Sequence, residues 1–119
     1  MSRVLPNPRP ISIKEIAVIE RALTVAAVDG EASELIASVR TLHVVARCDC
    51  GCASVDFLLP QPGVIPHKIA DAVASAPDGE HLGLIVWADN GAISGLEIYN
   101  FTERPAPLPT IPSILGYGG

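Results

Sequence analysis

The chain has 119 residues, and splitting it into two cores would leave each near the ~50-residue size at which a domain barely buries enough surface, so one domain is expected. Hydrophobic residues make up 49% and charged residues 18%, with mean hydropathy +0.38, which excludes wholesale disorder of the low-hydropathy, high-charge kind. Thirteen acidic against eight basic side chains leave a formal charge of -5, the wrong sign for holding phosphates through a basic surface, so nucleic acid is not expected as a partner.

Residues 1–11 carry Pro6, Pro8 and Pro10, which forbid a continuous helix and predict an extended N-terminal arm. A single domain is expected over 12–104. Ser12 and Glu15 have the spacing of a capping box, in which each side chain satisfies the other residue's free backbone N–H. Ile16, Ile19, Leu23, Ala26 and Ala27 then recur at helical spacing, predicting a first helix over 13–28. Asp29-Gly30 is a stop signal, and Glu31 to Arg40 presents Leu35, Ile36 and Val39 on one side, predicting a second helix over 31–40.

From Leu42 the period changes to two. Leu42, Val44, Ala46 and Cys48 alternate with His43, Val45 and Arg47, and beyond Asp49-Cys50-Gly51-Cys52 the alternation resumes through Val55, Phe57 and Leu59, predicting a hairpin over 42–59. Residues 60–66 hold three prolines and a glycine and read as a loop; Lys68 to Ala76 reads as a short helix ended by Pro77-Asp78-Gly79. A second hairpin is expected over 82–101: an apolar strand from Leu82 to Ala88, an Asn90-Gly91 turn, and a return strand with Leu96 and Ile98 on one face and Glu97 and Tyr99 on the other. The tail, 105–119, has four prolines interleaved with Leu108, Ile111, Ile114 and Leu115, so it should be extended and pack across the surface until Gly116-Tyr117-Gly118-Gly119 frays. The expected fold is α+β: two N-terminal helices packed on one face of a four-stranded antiparallel sheet made of two hairpins, followed by a proline-rich tail.

No stretch reaches the ~18 to 20 uninterrupted apolar residues of a membrane-spanning helix, because Arg21, Asp29, Glu31 and Glu34 punctuate the most apolar region. The start lacks the basic and then apolar pattern of a secretory signal, which makes cytoplasmic residence the expectation. Three cysteines within five residues cannot staple distant parts of the chain and suit a reducing compartment.

Cys48-Asp49-Cys50-Gly51-Cys52 is the densest group of reactive side chains. Thiolates are soft ligands for zinc, copper(I) or iron–sulfur clusters, and Gly51 lets the backbone fold so that alternate sulfurs converge. The one-residue gaps differ from the two-residue gaps of structural zinc sites, and a fourth ligand would have to come from His43, His67, His81 or Asp49. Two other readings stand beside a zinc site of Cys48, Cys50, Cys52 and His43. In one, Cys48 is a small core residue and the others fill a tight turn. In the other, a reactive thiol is favoured by Arg47 and opposed by Asp49.

Catalytic signals are sparse. No histidine is tied by motif to a cysteine, Glu15/Glu20 and Glu31/Glu34 read as solvated helix surfaces, and the glycines fit no phosphate-binding loop. Trp87 has the opposite parity from Val86 and Ala88. With helices on one face only, Trp87, Glu97 and Tyr99 would share the other as an aromatic and acidic recognition patch; alternatively the proline-rich tail covers that face and packs on Trp87.

The segments Arg47-Cys48-Asp49-Cys50-Gly51-Cys52-Ala53-Ser54-Val55 and Gly91-Ala92-Ile93-Ser94-Gly95-Leu96-Glu97-Ile98-Tyr99 resemble a group of small bacterial proteins of unknown function. That group combines a C-x-C-G-C-x-S-V hairpin with a D-G-x-(L/I)-S-x-L-E strand, and its strand ending is similar to that of small bacterial immunity-type proteins. Asn90 stands where the aspartate often does, a swap the turn tolerates. The resemblance, which covers about residues 12 to 109, implies an α+β bacterial cytosolic protein and carries no catalytic residues with it. The expected function is a non-enzymatic, immunity-like interaction module with a basic protein partner and no cofactor; the alternative is a metal-binding or thiol-redox protein using Cys48, Cys50 and Cys52.

Overall fold

The computed structural model describes residues 2–117. In chain order the elements are β1 (Ser2–Pro10), α1 (Ile13–Val25), α2 (Glu31–Leu35) with a 3-10 continuation (Ile36–Thr41), β2 (His43–Cys48), β3 (Val55–Asp56), β4 (His67–Ser75), β5 (His81–Asp89), β6 (Ala92–Tyr99), a 3-10 turn (Ile111–Ser113) and β7 (Leu115–Gly116). The strands form one seven-stranded sheet in the order β1-β2-β3-β6-β5-β4-β7, with every pairing antiparallel.

This corrects the expected fold. The protein is mostly sheet, with one long helix and one short one, rather than two helices on a four-stranded sheet. Three segments read otherwise account for the difference. The N-terminal arm is extended, as its prolines require, but it is the edge strand β1, where a residue lacking N–H is tolerated; its register with β2 slips between Val4 and Arg9, the stretch that holds Pro6 and Pro8. The tail supplies the opposite edge, β7, and Gly116, expected to fray, pairs there with Ala72. Gly118 and Gly119 lie outside the described residues.

The third segment, expected as a helix over 68–76, is the strand β4, His67–Ser75. Its alanines at 70, 72, 74 and 76 follow a period of two, and pairing with β5 along the strand outweighs alanine's intrinsic helix preference. Small side chains there also let α1 lie close. Past its capping box, formed as the sequence indicates by Ser12 and Glu15, α1 stops at Val25 rather than 28. The chain then runs along β4, with an Ala27–Ala70 bridge and hydrogen bonds from Val28 N–H to Ile69 O and from Asp71 N–H to Ala26 O, both 3.0 Å. The second helix, expected over 31–40, is α-helical only to Leu35. Ser38 and Thr41 hydroxyls donate to carbonyls three residues back in the tighter continuation.

One face of the sheet is the core. Val18, Ile19, Ala22 and Leu23 of α1 pack on alternate residues of β5 (Leu82, Leu84, Val86, Ala88), with Leu96 and Ile98 of β6 beside them. Between Trp87 and Ala88 the β5–β6 register shifts, leaving Ser94 as an extra residue, so that Ile93 and then Leu96 both reach this face although their spacing breaks the alternation. The tail's Ala106 and Ile114 are buried in the same cluster, and Arg21 Nε donates to Ile114 O. Glu15, read as part of a solvated surface, is only 5% exposed; it accepts both Arg9 guanidinium nitrogens at 2.9 Å, which ties β1 to α1. Among the described residues no helix is long and apolar enough to cross a membrane.

Candidate functional site

The face without helices is built by the other parity of the central strands. Across it run the rows Lys68–Trp87–Gly95–Asp56, Asp71–Ile85–Glu97 and Val73–Gly83–Tyr99. Trp87, Glu97 and Tyr99 therefore share one face, as the alternation indicates. The tail does not line the hollows beside Trp87; Ala106 and Ile114 are buried with the helix-side core, Leu108 and Ile111 pack against it, and Leu115 pairs beside Val73 at the edge. Trp87 and Glu97 meet directly: the indole Nε1–H donates to Glu97 Oε1 at 3.0 Å. A partly buried indole held this way presents its ring while its polar edge is satisfied.

Tyr99 stands apart. It lies over Gly83, where an added Cβ would fall 2.0 Å from the phenol ring, and its ring meets Phe101 edge-on at 6.1 Å between centroids. Burial raises the pKa of its phenol, and a hydrogen bond with Tyr117 raises it further. Its position is thus settled by contacts within the protein, and the patch centres on Trp87 and Glu97.

Two hollows adjoin Trp87. The larger, about 400 Å³, lies between Trp87 and the loop after β3, with Leu58, Pro60, Val64 and Pro66 as its apolar wall and Asp56 and Asp89 as its charges. Leu58 and Leu59 remain 42% and 45% exposed at its rim. The second, about 340 Å³, shares Asp56, Trp87 and Gly95 with the first and extends past Glu97 to Cys48 and Cys52. Glycine at 95 makes room for this groove: a Cβ there would sit 3.3 Å from the Asp56 carboxylate. The carboxylates of Asp56, Asp71, Asp89 and Glu97 share this face, and Lys68 bridges Asp71 at 3.3 Å. The sequence reading missed the loop wall and Asp56; their one visible signal is the Leu58-Leu59-Pro60 run, where two adjacent leucines break the strand alternation.

The cysteine turn forms the far end of the same groove. Cys48 and Cys50 are joined as a disulfide, with Cα atoms 5.4 Å apart, and Cys52 is free. The three sulfurs lie within 4.8 Å of one another. His43 is not among them: it pairs with Pro10 at the opposite end of β2, five residues or about 17 Å from Cys48. His81 pairs with Ser75, and His67 contacts Glu31, beside Asp29, on the helix side of β4. What closes over the turn instead is the tail. Ala53 N–H donates to Ala106 O at 2.8 Å, Ala106 N–H donates to Cys52 Sγ, and Gly51, at φ 88°, turns the chain back beneath Pro105. The two clusters that the sequence leaves separate, Cys48/Cys52 and Trp87/Glu97, are thus neighbours in one groove. No family model matches the chain, no curated protein is similar to it, and no solved structure matches it.

Proposed function

We propose that this chain is a protein-interaction module, of the immunity-like kind its sequence resembles, which captures a basic protein partner on the helix-free face of its sheet. The observation that carries the reading is the apolar hollow of about 400 Å³ beside Trp87, with the Asp56 and Asp89 carboxylates in its lining and Glu97 bonded to the indole. An aliphatic side chain of the partner fills the hollow against the indole, while lysines or arginines beside it meet Asp56, Asp89 and Glu97. Aromatic residues at the centre of an interface carry much of its affinity, and charges at the rim govern how fast the partner arrives.

Affinity capture from the cells that make the protein, done in parallel with wild type and with Trp87→Ala/Glu97→Ala, tests the idea, followed by titration of the purified partner. The expected result is one basic protein retained by wild type and lost by the double variant. Trp87→Ala alone should weaken binding by about 2 kcal/mol or more, roughly thirtyfold. Equal retention by both proteins, or equally empty captures, removes the proposal.

A further inference from the structure

The distinctive feature of the cysteine turn is what points at its sulfurs. Each receives a backbone N–H: Cys50 N–H donates to Cys48 Sγ, Cys52 N–H to Cys50 Sγ, and Ala106 N–H to Cys52 Sγ, all at 3.4 Å. The first two follow from the one-residue gaps, since in C-x-C-x-C each sulfur has an N–H two residues ahead that can fold back on it. The third comes from the tail, more than fifty residues away, and is held in place by the Ala53–Ala106 hydrogen bond. Arg3 and Arg47, with Asp49 also in the lining, border a hollow of about 150 Å³ beside Cys48 and Cys52. Neither a disulfide nor a buried thiol needs three backbone N–H donors aimed at its sulfurs. Sulfurs that carry negative charge as metal ligands do, because such neighbours spread and offset that charge.

We propose that, once reduced, Cys48, Cys50 and Cys52 form a three-thiolate site for a soft monovalent cation, Cu(I), and that the Cys48–Cys50 disulfide is the closed form of this site. Thiolates select copper(I), zinc and iron–sulfur clusters. Structural zinc and iron–sulfur centres take four protein ligands, whereas among the described residues the cluster contains three cysteines and no histidine or carboxylate. Three soft donors with no fourth match copper(I), which accepts trigonal coordination. Opening the site takes two electrons. A dithiol is oxidised to its disulfide as the Cys48–Cys50 bond breaks and two thiols form, and Cu(I) then displaces the proton of each thiol that ligates it.

The full chain, reduced, desalted and kept anaerobic, is titrated with Cu(I) against a chromophoric Cu(I) chelator. It should take up one equivalent per chain, with X-ray absorption showing a single shell of three sulfurs. Cys50→Ser, altered at an exposed side chain, should unfold at the wild-type temperature and lose that equivalent, and the disulfide form should take up none. Should Cys50→Ser not fold, alkylated wild type with unchanged circular dichroism replaces it and should also lose the equivalent. Equal uptake by reduced wild type and by the thiol-blocked protein, uptake by the disulfide form, or zinc outcompeting copper(I) overturns the assignment.

Discussion

The two faces of the central strands were made by opposite design choices from the same three segments. Toward α1, β4 to β6 present alanine, leucine, isoleucine and valine, closed to water and interlocked with Val18, Ile19 and Ala22. Toward the other side the same strands present Asp71, Trp87, Glu97 and Tyr99, with Gly83 making room for the Tyr99 ring and Gly95 leaving a hollow beside Trp87. Stability resides in the first face, and the second retains polar groups and open space that a core would not tolerate. Substitutions that separate these roles are therefore the ones to make.

The largest effect is expected from Leu84→Ala, fully buried under α1. It should cost about 2–5 kcal/mol in denaturant unfolding, and a smaller loss would mean that the helix layer closes over the gap. Next comes Gly83→Ala on the opposite face of the same strand. The new methyl group collides with the Tyr99 ring and should cost about 1–3 kcal/mol, most of it recovered in Gly83→Ala/Tyr99→Ser; failure of that rescue would locate the strain in the strand itself.

Arg9→Ala is third, at about 1–2 kcal/mol, because it strips a buried carboxylate of two of its three 2.9 Å hydrogen bonds. The pH dependence gives this its signature. Burial works against the Glu15 charge, but the bonds from Arg9 and from the Ser12 backbone and side chain prevail, so its folded-state pKa lies below the ordinary 4.5. A depressed carboxylate contributes stability that is complete above that value and lost as pH falls through the lower, folded one. Acid titration of unfolding should therefore show a limb below about pH 4.5 that flattens in Glu15→Gln. Smallest of all is Trp87→Phe, which keeps the ring and removes the donor to a partly solvated Glu97. It should change stability by about 1 kcal/mol or less while altering partner affinity, and a large stability loss would show that the open face contributes to the core.

Legibility followed the same division. The capping box, the Asn90-Gly91 turn with both residues at positive φ, and the alternation of β5 and β6 are local signals, and each stands in the structure. From that alternation alone Trp87, Glu97 and Tyr99 fall on one face. The arm, the 68–76 segment and the tail are harder to read because their strand character is conferred by distant partners: β2 for β1, β5 for β4, β4 for β7. Alanine prefers helix and proline is kept out of sheet interiors, so neither residue announces a strand. Nor could spacing along the sequence join the cysteine turn to Ala106 or to the groove, since those contacts cross the tail and β6.

The extra residue at Ser94 gives β6 something like a change of phase. On the turn side of it Ile93 points to the helices, and on the far side Leu96 and Ile98 do, while Ser94 O accepts N–H groups from Phe57 and Leu58 at the root of the cavity loop. One strand thereby follows two reading frames. Were Ser94 paired in regular register instead of bulging, everything beyond it would slip by one residue, sending Glu97 and Tyr99 inward and Leu96 and Ile98 out. The face pattern of the protein thus depends on one extra residue, which itself lines the larger hollow beside Trp87.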